Sequence, residues 1–226
     1  MVDSNIENIQ EYAELERVDS ENGNDSDEKS ASLNNLTLML IDCRPDEHKL
    51  EYSYVFSFFS KPKANFLPQD YAHYVNHVAA VQSVEQFWAV YQHLQRPHNV
   101  PDKVDYHLFK LGIRPVWEDQ SNCHGGKWIL RLRKGLASRI WENLLLAMIG
   151  EQFNVGDEIC GAVCSVRNNE DIISIWNRSG SNSDITFRIR NVLRRVLNLP
   201  SSVLLEYKKH NDCLKDQSSY RHAKNF

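Results

Sequence analysis

The sequence has no long apolar run. Its most hydrophobic stretch, "NLLLAMIG" at 143–150, is far shorter than the ~20 residues a bilayer-spanning helix needs. The start, "MVDSNIENIQEYAELE", lacks the basic residues of a secretory or transit peptide. Both absences lead to the expectation of a cytoplasmic protein without a membrane partner. Cysteine is sparse and odd in number, 5 in 226 residues, so free thiols are expected and disulfides are not. The "NLT", "NDS" and "NRS" triplets then count as chance matches to a glycosylation signal. Cys160 and Cys164 lack the second ligand pair of a zinc site, and no metal or cofactor is expected.

Catalytic signatures are missing as well. G-x-x-x-x-G-K-[ST], G-x-S-x-G and H-E-x-x-H are all absent. An enzyme reading would have to rest on Cys123 beside His124, or Glu118 beside Asp119, and sequence neighbours in an extended loop rarely point at one another. No catalytic residue is assigned, and the chain is read as a binding protein.

Aromatics are scarce in the first 45 residues, which are instead rich in Asp, Glu, Ser and Asn. Residues 1–30 hold ten Asp/Glu and two Lys/Arg, so the rest of the chain carries a small positive excess despite the overall charge of −4. That excess is too small for a protein that wraps a long nucleic acid. Residues 1–45 are read as a disordered acidic tail, 46–210 as one folded domain, and 211–226 as a flexible C-terminal segment.

From Leu50 the pattern changes. Leu50, Tyr52, Tyr54, Phe56 and Phe58 alternate with Glu51, Ser53, Val55 and Ser57, the period of a half-buried strand. Strand pairs are expected at 50–59 with 73–80, 104–110 with 127–133, and 159–166 with 170–176, with "SVLLEYKK" as a last strand. Three helices punctuate them. The first opens on Ser83 and Gln86 at capping-box spacing, the second runs from near Ser138 to Gly150, and the third starts near Asp184 and aligns Ile185, Ile189, Val192, Leu193 and Val196. Hairpins joined by helices give an α+β fold: a curved antiparallel sheet of about seven to eight strands, three helices on its convex face and the other face open.

The loop "RPVWEDQSNCHGG" is longer than an ordinary hairpin connection and carries Trp117, Glu118 and Asp119. It leads into "KWILRLR", where Trp128, Leu130 and Leu132 take the core parity while Lys127, Arg131 and Arg133 take the open face. Arg167 adds a cation beside an Asn-Asn turn, expected to tolerate positive φ, and "PKANFLPQDYAHY" supplies Tyr71 on a second rim loop. An exposed aromatic, a carboxylate and a row of cations match a guanine nucleotide in its three parts: stacking surface, acceptor for the Watson-Crick donors, and phosphate partners.

"SVEQFW", "DYHLFKLGIRPVWED", "GGKWILRLRKG", "WENLLLAMIGEQF", "EICGAV" and "IISIW" resemble, in the same order, the cap-binding translation initiation factor 4E family over roughly residues 48–210. Within it the chain looks most like the 4E-homologous protein branch, a translational repressor form, because Tyr71 stands where the initiation factor has tryptophan. The resemblance implies a cap-binding domain over 46–210 whose ligand is the 7-methylguanosine cap of messenger RNA. Tyr71 and Trp117 would sandwich the cationic base, Glu118 would read the guanine edge, and Trp176 would contact the methyl group. Arg131 and Arg167, helped by Lys127, would hold the phosphates. The family's second surface takes proteins with a helix carrying a Tyr-x4-Leu-hydrophobic motif, and its matching positions are His48, Val84, Trp88, Glu142, Asn143, Leu146 and Gly150. Trp88 by spacing alone would be a core residue, and the resemblance is what makes it a docking residue. Four positions depart from the initiation factor: Ile172 replaces a phosphate-binding lysine, Lys49 a proline, Ser57 an aromatic, and Glu142 a leucine. The function implied is repression of messages chosen by RNA-bound partners. The alternatives are an initiation factor that recruits the scaffold, or an adaptor that uses the helical face alone.

Overall fold

In a computed structural model of the chain, residues 42–62 and 66–225 are described. Nearly all of the stretch read as an acidic tail lies outside them.

Among the described residues eight strands form one antiparallel sheet: β1 (Lys49–Ser60), β2 (Val75–Ser83), β3 (Val104–Lys110), β4 (Gly126–Leu132), β5 (Ile159–Val166), β6 (Asp171–Asn177), β7 (Glu206–Lys209) and β8 (Lys224–Asn225). Their spatial order is β2-β1-β3-β5-β6-β4-β7-β8. Among the described residues four α-helices interleave: α1 (Val84–Tyr91), α2 (Ala137–Ile149), α3 (Ser183–Val196) and α4 (His210–Asp216). The α+β reading with a single antiparallel sheet holds, and α4 joins the three helices expected.

The helix boundaries follow their caps. Ser83 Oγ accepts from the Gln86 amide at 3.1 Å, satisfying a donor that a helix start leaves orphaned, and Gln86 Oε1 accepts from the Gln82 amide of β2 at 3.0 Å. Asn182 caps α3 through the Ile185 amide, and Gly150 ends α2 with its amide on the Leu146 carbonyl.

One main core lies between the sheet and α1–α3. Phe87 and Tyr91 of α1, Trp141, Leu144, Leu145 and Met148 of α2, and Ile189 and Leu193 of α3 bury against Tyr54, Phe56, Leu108, Trp128, Leu130, Ile173 and Ile175. The parity read for "KWILRLR" puts Trp128, Leu130 and Leu132 in that core as expected. β1 differs from a half-buried strand: Val55, Ser57 and Phe59, on its other face, are buried too.

Two pairings stand as read, β1 with β2 and β5 with β6. The third does not. β3 pairs with β1 and β5, and β4 pairs with β6 and β7. The β5–β6 hairpin inserts between β3 and β4, so the long loop at 111–125 is a crossing over the sheet's end and not a hairpin turn.

The C terminus departs most from expectation. Residues read as a flexible segment form α4 and β8, and β8 pairs with β7.

Candidate functional site

The face opposite α1–α3 is built from cross-strand rows. Asp105, Ser165, Ile172 and Arg131 are neighbours in register across β3, β5, β6 and β4; so are His107, Val163, Ser174 and Ile129, and then Phe109, Gly161, Trp176 and Lys127. Gly161 is needed in its row: a Cβ there would lie 2.3 Å from the Phe109 ring. Without it, Phe109 packs edge-on to Trp176 with centroids 5.3 Å apart.

The 111–125 loop is clamped by two short polar side chains. Asp119 accepts from the amides of Arg114 at 3.1 Å and Ser121 at 2.9 Å, while Asn122 Nδ2 donates to the carbonyls of Arg114 and Val116. Asp119 is therefore a buried fastener of the turn. The clamp sets Trp117, half-buried, against Phe109, Cys160, Val163 and Trp176. Glu118 beside it is exposed and makes no hydrogen bond or ion pair with any described residue.

Tyr71 lies on a 3-10 turn at Pro68–Tyr74. Its ring packs on Phe59 with centroids 4.4 Å apart, and its hydroxyl meets His107 Nε2 at 2.9 Å and Asp105 Oδ2 at 3.5 Å. Burial and the Asp105 charge push the phenol well above its ordinary pKa, so it stays protonated. Arg167 pairs with Asp105 at 2.7 Å, which ties it to the same group. Asn168 and Asn169, which tolerate positive φ, do not adopt it here; the Arg167 amide closes the turn on the Glu170 carbonyl at 3.1 Å.

The face is not an open row of cations. Lys127 is wholly buried, its Nζ 5.0 Å from the Trp176 ring centroid, 5.6 Å from that of Trp117 and 4.9 Å from that of Tyr220. Burial lowers its pKa to about 8, and the nearby Lys208 charge acts in the same direction. Arg131 bridges Glu170 at 2.7 Å and Glu206 at 3.1 Å. The C-terminal segment also covers part of this face. Tyr220 bonds Ser165 through its hydroxyl at 2.7 Å and Arg131 through its carbonyl, and Ser219 Oγ accepts from Lys127 at 2.6 Å. Thus Trp117, Trp176 and Lys127 come together at one end of the face, Tyr71 and Arg167 share Asp105 at the other, and Arg131 joins them through residues 219–220.

On the helical face, the His48 carbonyl accepts from the Val84 amide at 2.9 Å, and His48 Nδ1 meets Glu85 Oε1 at 2.7 Å. That bond holds the Glu85 carboxyl down at about 2 and raises His48. Trp88 is 39% exposed, while its neighbours Phe87 and Tyr91 are buried. Core packing therefore does not account for it. Glu142 pairs with Arg96 at 2.7 Å, whose guanidinium lies 4.4 Å from the Tyr91 ring centroid. Asn143 and Leu146 are half-buried and Gly150 is exposed.

The family profile described as eukaryotic initiation factor 4E matches residues 49–225. The chain belongs to that family. It is 59% identical over 191 residues to eukaryotic translation initiation factor 4E-4 of Caenorhabditis elegans, covering 84% of this chain and 90% of that protein. It is 44% identical to initiation factor NCBP of Arabidopsis thaliana, covering 78% and 80%. Among solved structures, eIF4E-3 of C. elegans in complex with the 4E-binding protein Mextli and a cap analog superposes with a TM-score of 0.71 at 34% identity, over 75% of this chain and 96% of that one. Ascaris suum eIF4E-3 with m7G cap superposes at 0.69 and 34%, over 73% and 92%. As a member of the 4E family, the protein is a binding protein and not an enzyme.

Sequence reasoning missed several residues of this 4E-family face: Asp105, His107, Lys208, Tyr220 and His210, whose ring centroid lies 4.1 Å from that of Trp176. Two had a signal. In "VDYHLFK", Asp105 and His107 alternate with Tyr106 and Leu108, the mark of polar groups aimed at one face of a strand. Lys208, next to the core residue Tyr207, carries the same mark. Tyr220 had none, because its place depends on how the terminus folds back. The departures also find places: Ile172 is buried opposite Arg131, and Ser57 Oγ bonds His107 Nδ1 at 3.1 Å.

Proposed function

We propose that this protein binds the 7-methylguanosine 5′ cap of messenger RNA and represses initiation on messages selected by RNA-bound partner proteins, as a member of the 4E-homologous branch. The observation that carries the cap reading is, on one loop, Trp117 packed on the cluster that holds Trp176, with Glu118 beside it exposed and bonded to no described residue. A ring offers a stacking face to a cationic base, and a free carboxylate accepts from guanine N1–H and N2–H. Tyr71, Arg131, Arg167 and Lys127 complete the proposed site. Family relatives solved with cap and cap analog support it.

The repressor half rests on the helical face. His48, Val84, Trp88, Asn143, Leu146 and Gly150 form the proposed dock for a Tyr-x4-Leu-hydrophobic helix, and a family structure with a 4E-binding protein supports such a dock. Glu142, engaged with Arg96, presents a charge where the initiation factor presents leucine, which alters partner choice. Tethering by a partner on the same message raises the local concentration of the cap site to roughly millimolar for a short linker, so modest cap affinity suffices. The names of the similar proteins favour a second reading, an initiation factor that recruits the scaffold. A reporter with and without the partner's binding element separates them: repression that needs both Trp88 and Trp117 supports the first, and stimulation supports the second.

A further inference from the structure

Two lysines stand side by side where the sequence reading placed one. Lys127 and Lys208 are direct cross-strand partners on β4 and β7, and both are buried, at 0% and 2% exposure. Adjacent buried ammonium groups repel each other and are each costly to desolvate, so such a pair persists only where oxygens surround it. Those oxygens come from the chain's own C terminus. Lys208 Nζ donates to Asp216 Oδ2 at 2.6 Å, to the Ser218 carbonyl at 2.9 Å and to the Arg221 carbonyl, while Lys127 Nζ donates to Ser219 Oγ. Arg131, two residues along β4, donates to the Tyr220 carbonyl at 3.3 Å. Of these five acceptors, one carries a full negative charge.

The geometry points to a two-lysine phosphate subsite. We infer that Lys208 joins Lys127 in holding phosphate oxygens of the bound nucleotide, and that residues 218–221 fill this subsite with hydroxyl and carbonyl oxygens until phosphate displaces them. Ile172 fits this division of labour, since β6 presents an apolar side chain opposite Arg131 and the additional cation comes from β7. A phosphate replaces neutral dipoles by a full charge, which is the stronger partner for an ammonium. The inference rests on the cap-binding reading above. The same oxygens occur in the bridging triphosphate and in the phosphodiester that follows the first transcribed nucleotide.

Calorimetry on the full chain tests it, with 7-methylguanosine, its monophosphate, its triphosphate and a capped trinucleotide as titrants. Lys208→Gln should leave the nucleoside affinity unchanged and weaken the triphosphate roughly tenfold, the worth of one charge-assisted hydrogen bond; Lys208→Arg should recover most of the loss. Tyr220→Ala, which removes the bond to Ser165 that anchors the segment, should tighten the triphosphate. A loss seen with the trinucleotide alone assigns the subsite to the phosphodiester. The inference is overturned if Lys208→Gln weakens nucleoside and triphosphate equally or changes neither, and its displacement half fails if Tyr220→Ala weakens the triphosphate. If wild-type protein binds none of the four titrants, the cap-binding reading itself falls. Phosphate-dependent binding that needs Arg131 but not Lys208 sinks this inference alone.

Discussion

The phenol oxygen of Tyr71 lies 2.9 Å from His107 Nε2, and that bond anchors the rim turn at 68–74 to the middle of β3. His107 in turn faces Ser57 through Nδ1, so a small hydroxyl on β1 leaves room for an imidazole on β3, which holds a tyrosine on the rim.

This chain of contacts predicts a pH dependence. Burial lowers the His107 pKa from 6.5 to about 4. As pH falls below 6.5 the unfolded chain takes up this proton and the folded chain does not, so stability is lost across the window from about 6.5 to about 4, by up to about 3 kcal/mol. His107→Gln keeps a hydrogen-bonding group but cannot titrate. Urea midpoints of the variant should fall less than those of wild type between pH 7 and 4, and parallel curves would contradict the assignment.

Glu118 separates stability from recognition. It is exposed and bonds no described residue, so Glu118→Ala should shift the urea midpoint by no more than the ±0.5 kcal/mol or so typical of a plain surface change. The same variant should lose its preference for methylated guanosine over methylated adenosine, read by competition on an immobilised cap analogue. A large loss of stability would make Glu118 a fold residue.

For Trp88, 39% exposed, the expectation is similar on the other face. Trp88→Ala should cost the fold about 1 kcal/mol or less and weaken a Tyr-x4-Leu-hydrophobic helical peptide by about 2 kcal/mol or more, as a central aromatic anchor does. Unchanged peptide affinity by fluorescence anisotropy would remove Trp88 from the dock.

Arg131 now bridges Glu170 and Glu206, so a phosphate must compete with two carboxylates for it. Triphosphate affinity should therefore fall with added salt, and Arg131→Ala should reduce both that affinity and its salt slope. Equal affinity for nucleoside and triphosphate would contradict a phosphate role.

Local pattern made much of this legible. The Ser83–Gln86 cap, the α2 stop at Gly150 and the parity of Trp128, Leu130 and Leu132 are short-range facts, and they appear as read. Long-range choices did not show. The partner of β3 depends on where the β5–β6 hairpin lands, and nothing in "VDYHLFK" marks β5 over β4. Similarly, parity placed Lys127 on the right face but could not reveal that Tyr220, 93 residues later in the chain, would cover it. Asp119 and Glu118 are adjacent and chemically alike, and the sequence reading chose Glu118 for the base without showing what Asp119 does; the loop's amides bind Asp119, and Glu118 bonds no described residue.

Cap recognition by the Trp117 loop is the central claim, and one titration tests it most directly: intrinsic tryptophan fluorescence with 7-methyl-GTP and with unmethylated GTP, for wild type and Trp117→Ala. Stacking on a cationic base quenches the indole and adds a cation-π contribution on the order of 1 to 2 kcal/mol that the neutral base lacks. Wild type should show quenching and bind the methylated nucleotide roughly tenfold or more tightly than GTP, and Trp117→Ala should lose about 1 to 3 kcal/mol of affinity together with that preference. Equal binding of the two nucleotides by wild type, or full retention of the methyl preference in Trp117→Ala, would contradict the account.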